Sequence, residues 1–162
     1  MMFLKIIVLS GNASSGKTTT LKMLIAMLLP GATDVLYISK PNVTAHGLWE
    51  EIENDVANPP RDTHNLIAIM KFGDFVVGIN TSGDNISHAQ SSIRNFNKYH
   101  CNIGVCPCHP CSDSEKLLHN EYGGMIESWA KIKLPKAYSK KNKYLKNLLM
   151  ATELYQKIIK QM

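Results

Sequence analysis

Eight residues near the start of the chain, Gly11-Asn12-Ala13-Ser14-Ser15-Gly16-Lys17-Thr18, leave little freedom in how their surroundings fold. The spacing G-x-x-x-x-G-K-T has a mechanical reason. A loop that wraps an anion must aim successive backbone N–H groups inward, and glycine at both ends permits the turn and keeps Cβ atoms out of the way. Gly16 opens a helix whose first N–H groups have no intrahelical acceptor and carry a partial positive charge. Residues 3–9 ahead of the loop are nearly all apolar and rich in β-branched side chains, the pattern of a central parallel strand buried on both faces. After the loop, Leu21, Leu24, Ile25 and Leu28 recur at helical spacing from Lys17 to about Leu29, and Pro30-Gly31 stops the run. Strand, anion loop and helix are therefore expected in that order.

The rest of the chain continues the alternation. Val35 to Ser39 reads as a short strand, and 44–57 as a helix entered at Asn42 or Thr44 that ends before Asn58-Pro59-Pro60. Leu66 to Phe72 and Phe75 to Thr81 are apolar runs joined by Gly73-Asp74, a hairpin signal. A helix from about Ile86 to Tyr99 follows, then a strand from Asn102 to Cys106. Ser112 or Asp113 caps a short helix reaching about Tyr122. Met125 to Leu134 fits a strand or a loop. Residues 140–161 form an amphipathic helix with Tyr144, Leu148, Ala151, Tyr155 and Ile158 along one stripe. The expected fold is a single three-layer α/β domain over residues 1–162, its sheet mostly parallel with one antiparallel hairpin strand, Leu66 to Phe72. In such sheets ligands sit beyond the carboxyl ends of the strands, here the loops after residues 9, 81 and 106.

The complete G-x-x-x-x-G-K-[ST] signature resembles the P-loop (Walker A) NTPase superfamily. The resemblance implies a three-layer P-loop fold that binds ATP or GTP with Mg²⁺. It implies that Gly11, Asn12, Ala13, Ser14, Ser15, Gly16, Lys17, Thr18 and Thr19 surround the phosphates, that Lys17 is the catalytic cation on the β- and γ-phosphates, and that Thr18 ligates Mg²⁺. The chain has no Leu-Ser-Gly-Gly-Gln run, which sets it apart from transporter ATPases, and no Asn-Lys-x-Asp run for guanine, which favours ATP.

A P-loop enzyme also needs a carboxylate near the metal, commonly at the end of a strand next to the loop strand. Asp74 lies in the hairpin turn, where Gly-Asp is ordinary turn chemistry. Asp84 ends the run Gly78-Ile79-Asn80-Thr81-Ser82-Gly83-Asp84. This run, with the loop and the later Cys101-Asn102-Ile103-Gly104-Val105-Cys106 stretch, is similar to small bacterial and phage P-loop proteins of ATPase or kinase-like type. Those carry Gly-Ile-x-Thr-x-Gly-Asp after a hairpin, and the likeness spans residues 3–111 in outline. It implies Asp84 as a catalytic residue that holds Mg²⁺ or orients a nucleophile. The plainer role for Asp84 is to cap the helix at 86–99.

The four cysteines, Cys101, Cys106, Cys108 and Cys111, are clustered rather than spread as a disulfide framework would be. Cys106-Pro107-Cys108-His109-Pro110-Cys111 offers zinc four soft ligands, with His100, His119 or Cys101 available to complete a set. The plainer reading packs Cys106 at a strand end and leaves the other thiols in a surface loop.

Composition bounds the rest. A 44% hydrophobic and 19% charged chain can bury a core, which excludes a disordered segment. No run reaches the roughly 18 apolar residues of a membrane span. The apolar start lacks a basic leader and a cleavage site, so a cytoplasmic protein with no membrane association is expected. The net charge of +5 is uneven: nine lysines from Lys131 onward face Glu153 alone, and the residues before them are net negative. That segment is either the solvated face of a packed helix or a surface for nucleic acid or an acidic protein. Arg61 and Arg94 are the only arginines, although arginine is the usual clamp on a transferring phosphoryl group. The expected activity is Mg-dependent ATP hydrolysis. The alternatives are a small-molecule or nucleotide kinase, whose lid would lean on lysines or Arg94, and a nucleic-acid-binding module.

Overall fold

The computed structural model describes residues 4–12, 15–57, 65–83, 85–130 and 139–162. Its first strand, β1 (Lys5–Ser10), shows how the layers arise. Ile7 and Leu9 join one buried cluster and Ile6 and Val8 another, so alternate side chains fill opposite faces of the same sheet. A strand wrapped on both sides must be apolar throughout, which is what residues 6–9 supply.

Among the described residues the sheet has six strands in the order β2-β3-β4-β5-β1-β6. These are β2 (Asp34–Ile38), β3 (Ile67–Phe72), β4 (Phe75–Asn80), β5 (Ile103–Cys108) and β6 (Ile126–Ala130) alongside β1. β5 and β6 flank β1 in parallel, and β4 is parallel to β5. β3 is antiparallel to both β2 and β4, as the hairpin reading expected of it. Gly73 takes the turn between β3 and β4 with φ 63°, a left-handed conformation that favours glycine, and Asp74 beside it is exposed. The stretch 126–130, which fitted strand or loop, pairs with Ile6 to Ser10 of β1 and is a strand.

Helices cover both faces. Helices α1 (Lys17–Leu28), α2 (Ala45–Ala57) and α5 (Lys140–Gln161) pack on one, with Leu21, Leu24, Ile25, Leu48, Leu154 and Ile158 in the cluster below them. Met23, Ile52 and Ala151 seal the seam where these three helices meet. Helices α3 (Ile86–Lys98) and α4 (Asp113–Tyr122) pack on the other through Ala89, Phe96, Leu118 and Tyr122. Each fully buried Leu, Ile or Phe in these layers contributes about 1.5–3 kcal/mol. The Phe96 ring fits a notch between Gly78 of β4 and its partner Gly104 of β5; a Cβ on either would approach the ring to 2.6 or 2.5 Å.

The caps refine three sequence expectations. Thr44 accepts from the Gly47 amide at the start of α2, and Ser112 accepts from the Glu115 amide at α4. At α3 the cap is Asn85, which accepts from the His88 amide at 3.1 Å, so the capping role open to Asp84 is filled by its neighbour. Asp84 itself, with Ala13, Ser14 and Arg61, lies outside the described residues. β5 also runs further than Asn102 to Cys106, continuing through Pro107 to Cys108. Proline is tolerated there because pairing with β4 has ended at Val105.

Candidate functional site

β1, β4, β5 and β6 point their carboxyl ends at one edge of the sheet, and the glycine loop leaves β1 at that edge. The Gly11 amide donates to the Cys108 carbonyl at 3.1 Å, carrying the β1–β5 ladder one step into the loop. The Ser15 amide donates to the Asn12 carbonyl at 3.2 Å and closes a turn. Gly16 sits at φ 92°, which an L side chain reaches only under strain, and from it the chain enters α1. The Thr20 amide and the Thr20 hydroxyl both donate to the Gly16 carbonyl, at 2.9 and 2.7 Å, and pin the first turn.

Lys17 is buried at 6% exposure. Its ammonium donates to the carbonyls of Gly11 and Asn12, the latter at 3.0 Å, so the cation lies folded across the mouth of its own loop. Ser15 is equally buried, and its hydroxyl has no hydrogen-bond partner among the described residues. An orphaned buried hydroxyl costs about 1–3 kcal/mol and is ordinarily met by solvent or a ligand. The amides of Thr18 and Thr19 belong to the first helical turn, where intrahelical acceptors are lacking. A cation, a helix terminus and an unpartnered hydroxyl thus converge in one loop, and such a set suits an anion.

The Thr18 hydroxyl donates to the Thr81 carbonyl at 3.1 Å, which ties the start of α1 to the end of β4. This contact crosses a strand. β5 lies between β1 and β4, so the loop carrying Asp84 does not leave the strand next to the glycine loop. Thr81 is fully buried and held on both sides: its amide donates to the Leu66 carbonyl at 2.9 Å, and its hydroxyl accepts from the Leu66 amide at 2.8 Å. Asn80 braces the next residue, accepting from the Ser82 amide at 2.9 Å while its own amide donates to the Ser92 hydroxyl at 2.8 Å. Gly83 lies against β5, where a Cβ would come within 2.1 Å of the Pro107 carbonyl oxygen. Thr81, Ser82 and Gly83 are therefore each held by neighbouring groups, and Thr81 stands against Thr18.

The cysteine segment is arranged otherwise than a loop of ligands. Cys106 and Cys108 are buried inside β5, facing the α3–α4 layer, while Cys111 is exposed beyond its end. Burial pushes the Cys106 thiol up to about 12 and the Cys108 thiol up to about 11. The Cys108 thiol donates to Glu115 Oε2 at 3.7 Å, and Glu115 Oε1 accepts from the Cys111 amide at 3.4 Å. The His109 carbonyl accepts from the Ser112 hydroxyl at 2.7 Å. No group of three or more His, Cys, Asp or Glu side chains that could hold a metal ion occurs among the described residues.

Two site features were not anticipated. One is the Thr81 carbonyl as the partner of Thr18. The other is Asn147 of α5, whose side chain lies so close to Gly16 that a Cβ there would meet its Oδ1 at 2.3 Å. A polar residue on an otherwise apolar helical stripe was the available signal. Arg94, the arginine considered for a lid, is exposed nine residues into α3, about 13 Å along the helix from its cap. No helix among the described residues is long and apolar enough to cross a membrane. A scan against protein-family models finds no matching family, and no curated protein and no solved structure matches the chain.

Proposed function

We propose that the chain is a P-loop protein that binds ATP with Mg²⁺ at Gly11–Thr19 and hydrolyses it. The observation that carries this reading is the buried Lys17 ammonium resting on the Gly11 and Asn12 carbonyls at the N-terminus of α1. Those carbonyls hold the cation at the mouth of the loop. A β- or γ-phosphate offers a full negative charge in the same place, and charge-assisted hydrogen bonds are about twice as strong as neutral ones.

Thr18 suits the metal. Its proton is committed to the Thr81 carbonyl, which turns the lone pairs of the hydroxyl oxygen outward, and Mg²⁺ takes hard oxygen ligands of this kind. Held there, Mg²⁺ would shield the phosphate oxygens and help to place them. The chain's residues do the remainder. Water attacks the γ-phosphorus, the bond from the γ-phosphorus to the bridging oxygen of ADP breaks, and phosphate and ADP leave. Lys17 and the amides of the loop neutralise charge on the phosphate oxygens and on that bridging oxygen. Asp84, in sequence three residues beyond Thr81, would orient the water or help to hold the metal.

The test is phosphate release from ATP with and without Mg²⁺, in the wild type and in Lys17→Ala, Thr18→Ala and Asp84→Asn. The reading requires Mg-dependent turnover that all three substitutions reduce. Label passing from ATP to an added nucleoside or nucleotide would replace hydrolysis by kinase chemistry. Turnover unaffected by Lys17→Ala would refute the site.

A further inference from the structure

The buried stripe of α5 runs Ile158, Leu154, Ala151, Asn147 and then Lys143 and Lys140, at steps of four, three, four, four and three residues. Residues so spaced lie on one face of a helix. The first three are fully buried under α1 and α2, and Asn147 then meets Gly16, the residue from which α1 starts. The stripe is therefore apolar where α1 lies beneath it and polar where the phosphate loop begins. It turns cationic beyond that level. Lys143 stands about 6 Å along the helix above Asn147, and Lys140 stands about 10 Å above it. Both are exposed.

The placement is unfavourable for the helix itself. Cations stabilise a helix C-terminus, yet the first two turns of α5 carry Lys140, Lys141, Lys143 and Lys146, with no acid in the first turn. In the loop next to Gly16 the Ser15 hydroxyl is buried with no hydrogen-bond partner among the described residues, an independent sign that the loop expects a ligand. Among the described residues no arginine stands near the loop, since Arg94 is far down α3.

The geometry points to Lys143, with Lys140 behind it, as a second cation on the terminal phosphate of a nucleoside triphosphate held in the loop, with Asn147 fixing the level at which it stands. This rests on the nucleotide reading above. Helical side chains lean toward the N-terminus of their own helix, so the flexible stem of Lys143 carries its ammonium onward past the level of Gly16, the side on which the outermost phosphate would stand. That phosphate is the one ADP lacks.

Binding of fluorescent ATP and ADP analogues to the full chain tests the assignment. The variants are Lys143→Ala, Lys143→Arg and, as a control of equal charge change at the far end of α5, Lys160→Ala. Lys143→Ala is expected to weaken ATP about tenfold, the worth of one charge-assisted hydrogen bond, and to leave ADP unchanged. Lys143→Arg restores most of the loss, and Lys160→Ala changes neither ligand. If the wild type binds ATP and Lys143→Ala binds it equally well, or loses ATP and ADP in equal measure, the role of Lys143 is overturned while the nucleotide site stands. If the wild type binds neither analogue, both readings fall together.

Discussion

The Thr18 hydroxyl donates to the Thr81 carbonyl across 3.1 Å, joining two residues 63 positions apart and spanning the strand that separates β1 from β4. It places the threonine of the glycine loop and the residues leading to Asp84 in one site, although the strands that carry them are not neighbours. A hydroxyl that donates inward and keeps its lone pairs outward is suited to a metal-bound nucleotide.

Thr18→Ser keeps that hydroxyl and Thr18→Ala deletes it. Mg-dependent ATP affinity is expected to fall about tenfold in the alanine variant, in line with losing a hydrogen bond to a charged group, and little in the serine variant. Titration with and without Mg²⁺ measures this. Equal affinity in all three proteins would remove Thr18 from the metal's surroundings.

Gly83 has backbone directly against it, and Gly73 has nothing within 4 Å of where its Cβ would lie. Gly83→Ala forces a methyl toward the Pro107 carbonyl and is expected to cost about 1–3 kcal/mol, with weakened nucleotide binding because the loop beside Thr18 shifts. Gly73→Ala strains a left-handed turn without a clash, costs about 1–2 kcal/mol, and leaves binding intact. Urea unfolding with parallel binding assays separates the two.

The thiols divide by burial. Cys101 and Cys106 are pushed up to about 12 and Cys108 to about 11, so all three are protonated and shielded at neutral pH. Iodoacetamide at pH 7.5 should alkylate Cys111 alone in the native protein and all four after denaturation, as read by peptide mass spectrometry. Rapid native labelling of Cys106 or Cys108 would contradict the path of β5.

Glu127 on β6 holds the sheet edge to α5: it accepts from Lys5 at 2.9 Å, Trp129 at 2.9 Å and Lys157 at 3.2 Å. The Lys5 and Trp129 hydrogen bonds lower its carboxyl to about 2. An unfolded glutamate titrates near 4.3, so the contribution of Glu127 is complete above that value and disappears as pH falls toward 2. Glu127→Gln is expected to cost about 1 kcal/mol at pH 7, typical of solvent-screened ion pairs, and progressively less below pH 4. A stability difference that grows on acidification would contradict the pairing.

Much of this architecture was legible in the residues. The glycine loop announces itself by spacing, and the strand before it and helix after it by periodicity. Gly73-Asp74 marks the hairpin. What escaped depended on contacts between distant segments. Local pattern does not reveal that β5 inserts between β1 and β4, that Asn85 rather than Asp84 caps α3, or that the strand holding Cys106 continues through Pro107 to Cys108. Asn147 escaped for a related reason: its neighbour Gly16 lies 131 positions earlier in the chain.

Calorimetric titration of Mg-ATP into the wild type and into Lys17→Ala probes the glycine loop most directly. The wild type should bind one ATP per chain with a Kd below about 1 mM, the usual range for enzyme substrates, and Lys17→Ala should give no measurable heat while remaining folded. Absence of binding by the wild type, or undiminished binding by the lysine variant, would contradict the assignment of Gly11–Thr19 as a nucleotide site.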